Sequence, residues 1–286
     1  FSFLKNLFGT NNNENSANEN IKKTIKFCII FKSRLIMTEI LKVENLSKLF
    51  KQKQRITGVK NIDFNLYQGE CLGIIGESGC GKSTIAKLIT RLIDADTGNI
   101  YFNQQNITKL KGKELKNFYK NIQMIFQMPQ NSFNPRQKLG DSIIEILTNN
   151  GIDKQQAKIQ MKTLFAKVGL NNELSQRYPH QVSGGQCQRV AIARAISINP
   201  QILICDEATS SLDVTIQKQI VDLLQALQAE FNLSIILITH DLALIQRLCN
   251  RVIVIYQGEI IEQGNTIDIL QNPQTEYVQT LIEMYN

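Results

Sequence analysis

The chain has 286 residues, 43% of them hydrophobic and 20% charged, enough for one large or two modest globular domains with a real core. Its net charge of +7 would suit an anionic surface, but the lysines at 48–55 and 109–120 lack aromatics spaced as a stacking platform, so they read as solvated faces. No apolar run approaches the roughly 18 residues of a membrane span, and the six cysteines, Cys28, Cys71, Cys80, Cys187, Cys205 and Cys249, lack the spacing of a zinc site or disulfide framework.

Residues 1–36 contain the low-complexity stretch Asn11 to Asn20 and are expected to be a disordered or non-native extension, with Met37 directly before the first organised segment. Alternation over Ile40–Leu49 predicts a strand, Lys51–Arg55 a polar turn, and Val59–Leu66 a second strand with Ile62, Phe64 and Leu66 on one face. Glu70–Ile75 is a short apolar run that predicts a buried strand.

Directly after it comes Gly76-Glu77-Ser78-Gly79-Cys80-Gly81-Lys82-Ser83-Thr84, which fits the phosphate-loop pattern G-x-x-x-x-G-K-[ST]. Glycines let backbone N–H groups converge on phosphate oxygens, Lys82 supplies a point charge, and the Ser83 hydroxyl can ligate Mg²⁺. Residues 83–92 have helical spacing, completing the strand–loop–helix context. Cys80, inside this loop, is expected to be exposed without nucleotide, whereas Cys71 and Cys205 are expected to be packed.

Further strands are predicted at 98–102 and 122–127. Residues 140–176 read as helical, and Ser183 opens a helix with a small face of Val190, Ala191, Ala193 and Ala195. Ile202–Cys205 predicts a buried strand ending in Asp206 and Glu207, and 215–230 an amphipathic helix. Ser234–His240 predicts a strand ending in histidine, and 252–262 a hairpin around Gln257-Gly258. Strands alternating with helices predict a parallel α/β sheet.

With these motifs in order, residues 38–285 resemble the ATP-binding subunit of ABC transporters. Gly76–Thr84 matches Walker A, Gln127 the Q-loop glutamine, and Val182-Ser183-Gly184-Gly185-Gln186 the signature, with Val in place of the usual Leu or Phe. Ile202–Asp206 with Glu207 matches Walker B, Ser210-Ser211-Leu212-Asp213 the D-loop, and His240 the switch histidine. The resemblance implies a P-loop NTPase: a RecA-like parallel core, an antiparallel β-subdomain, and a helical subdomain inserted at about 129–182 of an ATPase domain spanning 37–286.

It also implies roles. Walker A holds ATP; Ser83, Gln127 and Asp206 serve Mg²⁺; Glu207 is the general base; His240 contacts the γ-phosphate. Phe50, with Val59 nearby, is the candidate for adenine stacking. Ser183, Gly184, Gly185 and Gln186 face the ATP of a second subunit, homomeric or heteromeric. The expected setting is peripheral, on the cytoplasmic membrane face, with two permease subunits and, indirectly, a solute-binding protein.

The segments Phe126–Arg136, Ser183–Arg189 and Asn272–Leu281 resemble the oligopeptide/dipeptide/nickel importer branch, which implies ATP-driven uptake of di- or oligopeptides. Met128 stands where that branch commonly has Asp, and Thr275-Glu276 replaces His-Pro. No cysteine-bearing tail follows, so no iron–sulfur cluster is expected. Nickel or cationic antimicrobial peptide transport is the alternative within the branch. Outside it stands a non-transport ABC ATPase of DNA repair or translation, against which the single cassette and compact interval between Walker A and the signature argue; no nucleic acid partner is expected.

Overall fold

The structure is a computed structural model that describes residues 38–52, 55–208 and 213–285. The expected extension at 1–36, with Cys28, and the D-loop residues Ser210, Ser211 and Leu212 lie outside the described residues.

The chain opens with two long antiparallel strands, β1 (Glu39–Gln52) and β2 (Arg55–Tyr67), paired from Glu39↔Tyr67 to Gln52↔Arg55. The chain reverses within the expected Lys51–Arg55 turn, which cross-strand pairing shortens: the ladder runs up to Gln52↔Arg55. β4 (Thr97–Phe102) and the short β5 (Gln105–Asn106) complete a four-stranded sheet in the order β2-β1-β4-β5.

The second sheet has six strands. β3 (Cys71–Ile75) lies parallel to β8 (Ser234–Ile238) and to β9 (Arg251–Tyr256). β7 (Ile202–Asp206) lies parallel to β8 and to β6 (Ile122–Ile125). β10 (Glu259–Asn265) pairs antiparallel with β9, closing the expected hairpin. The strand predicted to run to His240 ends at Ile238, and the Thr239 amide still reaches the Ile74 carbonyl of β3 at 3.3 Å.

Side-chain alternation sorts the central strands between two cores, as the two-residue period of a strand requires. Leu72, Ile74, Ile202, Ile204, Ile236, Ile238, Ile253 and Ile255 pack toward the four-stranded sheet and α1 (Lys82–Ile89). Cys71, Ile75, Leu203, Cys205, Ile235, Leu237, Val252 and Val254 face the opposite core, shared with the remaining helices. Both faces are therefore covered, which is why these strands read as continuous apolar runs. Burial of each Leu or Ile contributes about 1.5–3 kcal/mol.

Between β6 and β7 lie α3 (Leu139–Asn149), α4 (Lys154–Lys167) and α5 (Gly184–Ile196), after a short α2 (Gly112–Phe118) upstream of β6. Asp153 caps α4 by accepting from the amides of Gln155 and Gln156, and Phe165 is fully buried among these helices. Arg189 ties α5 to its surroundings, donating to the Val168 carbonyl at 2.7 Å and to Gln219 Oε1 at 2.8 Å. Gln219 belongs to α6 (Val214–Phe231). Arg194 donates to the carbonyl and hydroxyl oxygens of Ser132, at 2.7 and 2.9 Å, and lies over the Phe133 ring. The C-terminal part comprises α7 (Leu242–Leu248), α8 (Thr266–Gln271) and α9 (Glu276–Tyr285).

Candidate functional site

The site forms where β3, β6, β7 and β8 end, at the C-terminal edge of the parallel strands, where α/β sheets place ligands. β3 delivers the phosphate loop. Gly81 has φ 113°, and a Cβ there would come within 2.5 Å of Val59 Cγ1 and 3.0 Å of the Gly58 carbonyl, so the loop seats on β2 only without a side chain. Lys82 follows as the first residue of α1 and is almost fully buried. Its ammonium donates to the carbonyls of Gly76 at 2.6 Å and Glu77 at 2.7 Å, which fixes the charge inside the loop.

The next residue, Ser83, donates its hydroxyl to Asp206 Oδ1 at 3.0 Å. Asp206 is the last residue of β7, and burial raises its carboxyl above the ordinary range despite the Ser83 hydrogen bond. These all-oxygen donors fit a hard divalent cation. Among the described residues no group of three or more His, Cys, Asp or Glu could hold a metal alone. A cation at Ser83 and Asp206 would therefore need further oxygens, which phosphate groups held by the loop could supply.

Beyond Asp206 the chain turns abruptly. Glu207 has φ 47°, a left-handed conformation disfavoured for a side-chain-bearing residue by about 1–3 kcal/mol. Its amide donates to the Ile238 carbonyl at 2.9 Å. The turn aims the carboxylate at Gln127 and His240: Gln127 Nε2 donates to Glu207 Oε2 at 2.7 Å, and His240 Nδ1 lies 3.8 Å from Oε1. Three segments separated by up to 113 positions, 127, 207 and 240, thus meet at one carboxylate.

A cavity of about 310 Å³ opens beside this cluster, lined by the phosphate loop, Gln127, Glu207 and, on its far side, Phe50, Thr57 and Gly58. Phe50 sits half exposed at its edge, with the Lys48 ammonium 5.9 Å from its ring. Val59 does not join it. This residue is fully buried beneath Gly81, because the register shift between Val59 and Ile62, with Asn61 at φ 49°, puts it on the same side as Ile62, Phe64 and Leu66, so its pairing with Phe50 is corrected. Thr57 and Gly58 are the lining residues missed by sequence reasoning. Thr57 stands opposite Phe50 in the β1–β2 register, which only the pairing reveals.

Cys80 also departs from expectation. It is buried, 8% exposed, with its sulfur 3.8 Å from the Lys82 ammonium, and burial raises its thiol pKa. The loop curls the cysteine back toward β9 while Glu77, Ser78 and Gly79 take the exposed positions. Cys71 and Cys205 are packed, as expected.

Ser183, Gly184, Gly185 and Gln186 do not line this cavity. They begin α5 with a capping box: Ser183 Oγ accepts from the Gln186 amide at 3.2 Å, and Gln186 Oε1 accepts from the Ser183 amide at 3.0 Å.

Comparison with known proteins agrees with this layout. The family model described as ABC transporter matches residues 59–210. The oligopeptide transport ATP-binding protein OppF of Haemophilus influenzae is 43% identical over 244 residues, covering 84% of this chain and 74% of its own length. OppF of Salmonella typhimurium is 40% identical over 262 residues, covering 88% and 78%. The glutathione import ATP-binding protein GsiA of Pectobacterium atrosepticum is 42% identical over 252 residues, and there the chain spans only 40% of the relative.

Among solved structures, cbiO1 from Clostridium perfringens, part of the ABC transporter complex cbiONQ, superposes with TM-score 0.73 at 28% identity, covering 82% of this chain and 92% of that one. The dimeric ATP-binding cassette MJ0796 in a post-hydrolysis state bound to ADP and Pi gives 0.72 at 28%, covering 79% and 99%. With the matched region exceeding half its length and the core built as a P-loop cassette, this chain belongs to the ABC transporter family.

Proposed function

We propose that this chain is the ATP-hydrolysing subunit of an ABC importer that drives uptake of di- or oligopeptides through a membrane permease. The observation that carries the reading is the convergence of Lys82, Ser83, Gln127 and Glu207 on one cavity, with Asp206 bonded to Ser83 and His240 beside Glu207. The names of the OppF and GsiA relatives support peptides as the cargo.

In this reading the loop amides and Lys82 hold the ATP phosphates. Ser83, Asp206 and Gln127 would hold Mg²⁺ and its waters, which would supply charge neutralisation at the phosphoryl oxygens. Glu207, held by Gln127 and beside His240, orients the attacking water and takes its proton. Phe50 covers the adenine face of the cavity. Ser183, Gly184, Gly185 and Gln186 complete the site of a second cassette, so hydrolysis needs a dimer.

Residues 37–286 form the ATPase domain in this proposal, with the helical part, about 129–182, moving on closure. Two permease subunits take up that motion, and an extracytoplasmic solute-binding protein delivers the cargo to them. Among the described residues no helix is long and apolar enough to cross a membrane, which suits a peripheral position on its cytoplasmic face.

Glu207→Gln tests the reading. The variant is expected to bind MgATP, to hydrolyse it about 10²–10⁴-fold more slowly, and to accumulate as an ATP-held dimer in size-exclusion chromatography. Turnover at the wild-type rate would overturn the assignment of Glu207. Loss of labelled tripeptide uptake on deletion of the gene, restored by the wild-type chain but not by Glu207→Gln, tests the transport reading.

A further inference from the structure

We propose that Tyr277 is a positioning residue of the nucleotide site: its hydroxyl braces the phosphate loop from the C-terminal helix, so that residues 274–277 form part of the ATP-binding apparatus. The inference rests on the nucleotide-site reading above and extends it to a segment that reading leaves without a role.

The argument begins with one peptide group, the link between Gly76 and Glu77. Its carbonyl, on Gly76, accepts from the Lys82 ammonium at 2.6 Å. Its amide, on Glu77, donates to Tyr277 Oη at 3.2 Å. The peptide plane is thus held at both ends, by the loop's own lysine on one side and by a residue 200 positions away on the other. A planar amide cannot turn its carbonyl without turning its N–H. The phenol that holds the N–H therefore also fixes the carbonyl that locates the Lys82 charge.

Tyr277 is itself firmly placed. Its ring packs on Tyr256, the last residue of β9, with centroids 4.2 Å apart. β9 is the direct neighbour of β3, which carries the loop. Ahead of α9, the nearly buried carboxylate of Glu262 on β10 accepts from the amides of Gln274 at 3.1 Å and Thr275 at 2.6 Å, and from the Thr275 hydroxyl at 2.5 Å. Val278 and Leu281 then enter the core. Burial raises the Tyr277 phenol further above neutrality, so it stays a neutral hydroxyl able to accept. The segment therefore works as a strut that runs from β10 through Tyr277 to the loop.

Tyr277→Phe in the full chain removes the oxygen and keeps the ring. The expected result is a KM for MgATP raised about three- to tenfold, as for loss of one hydrogen bond, with kcat changed less than about twofold. Hydrogen exchange of the peptide spanning 76–81 should quicken while that of α9 stays as in the wild type. Tyr256→Phe, which keeps the stacked ring, should leave KM unchanged.

Unchanged KM and loop exchange in Tyr277→Phe would overturn the inference. So would faster exchange throughout the chain with a lowered Tm, since the hydroxyl would then serve the fold at large. A wild-type chain that binds no MgATP in calorimetry would instead sink the nucleotide-site reading, so the two failures are distinguishable. Tyr277→Leu, which also removes the stacking on Tyr256, should raise KM further and lower Tm.

Discussion

The phosphate-loop cluster and the Ser183–Gln186 turn are built from similar material, a glycine-rich loop opening a helix, yet they are finished differently. At the first, Lys82 ties the loop to itself and further hydrogen bonds run between distant segments, Ser83 to Asp206 and Gln127 to Glu207. At the second, the bonds close locally, Ser183 and Gln186 satisfying each other's amides. One region is assembled by the fold of a single chain. The other is a helix start whose cap closes on itself and which does not line the cavity. That contrast is what a composite site requires, in which each chain brings one assembled half and one surface for its partner.

The comparison can be broken at several points. Lys82→Ala removes the buried charge from the assembled half and should weaken MgATP binding on the order of 100-fold, the loss of charge-assisted hydrogen bonds; calorimetric titration reads this. Ser183→Asp keeps a capping acceptor but adds a negative charge to the partner-facing half. Nucleotide affinity of one chain should hold within about twofold, while ATP-driven dimerisation, followed by analytical ultracentrifugation, falls about tenfold or more. Equal loss of affinity in both variants would erase the distinction between the halves.

Phe50→Ala separates the two residues first paired as an adenine platform. Loss of stacking should raise KM for MgATP about fivefold or more. Val59→Ala should lower thermal stability through a core cavity under Gly81.

The smallest effect concerns the thiols. Burial pushes Cys187 up to about 11 and holds Cys80 above the ordinary thiol value of 9.0. Below pH 9 both states keep these thiols protonated, and stability is fully present. As pH rises from 9 towards 11 the unfolded chain loses protons first, so stability falls. Urea midpoints measured across that range should drop, and Cys187→Ala should shallow the slope. Iodoacetamide at pH 8 should modify Cys80 slowly in the native chain and quickly in urea.

Much of this arrangement was legible in the sequence because its determinants are local. Leu72–Ile75, Ile202–Cys205 and Ile235–Ile238 are apolar runs too continuous for half-exposed strands, and the phosphate loop declares itself by its glycines. The features that escaped depend on pairing or on long-range packing. Thr57 became a lining residue through its register with Phe50. Val59 went inward because the ladder shifts register between it and Ile62. Cys80 is buried because the loop curls, and the tie from Tyr277 to Glu77 spans 200 positions. Spacing along a chain carries no trace of such meetings.

Arg194 has a mechanical consequence. It lies 11 residues after Ser183 on one continuous helix, a rod of about 16 Å at 1.5 Å per residue. At the far end its guanidinium grips Ser132 and Phe133, five and six residues beyond Gln127. Burial makes that grip costly to release into a half-solvated state, since the charge would lose its acceptors before regaining water. The Ser183 helix start and the segment following Gln127 are therefore two ends of one lever, with a pin at Arg194 and no slack between them.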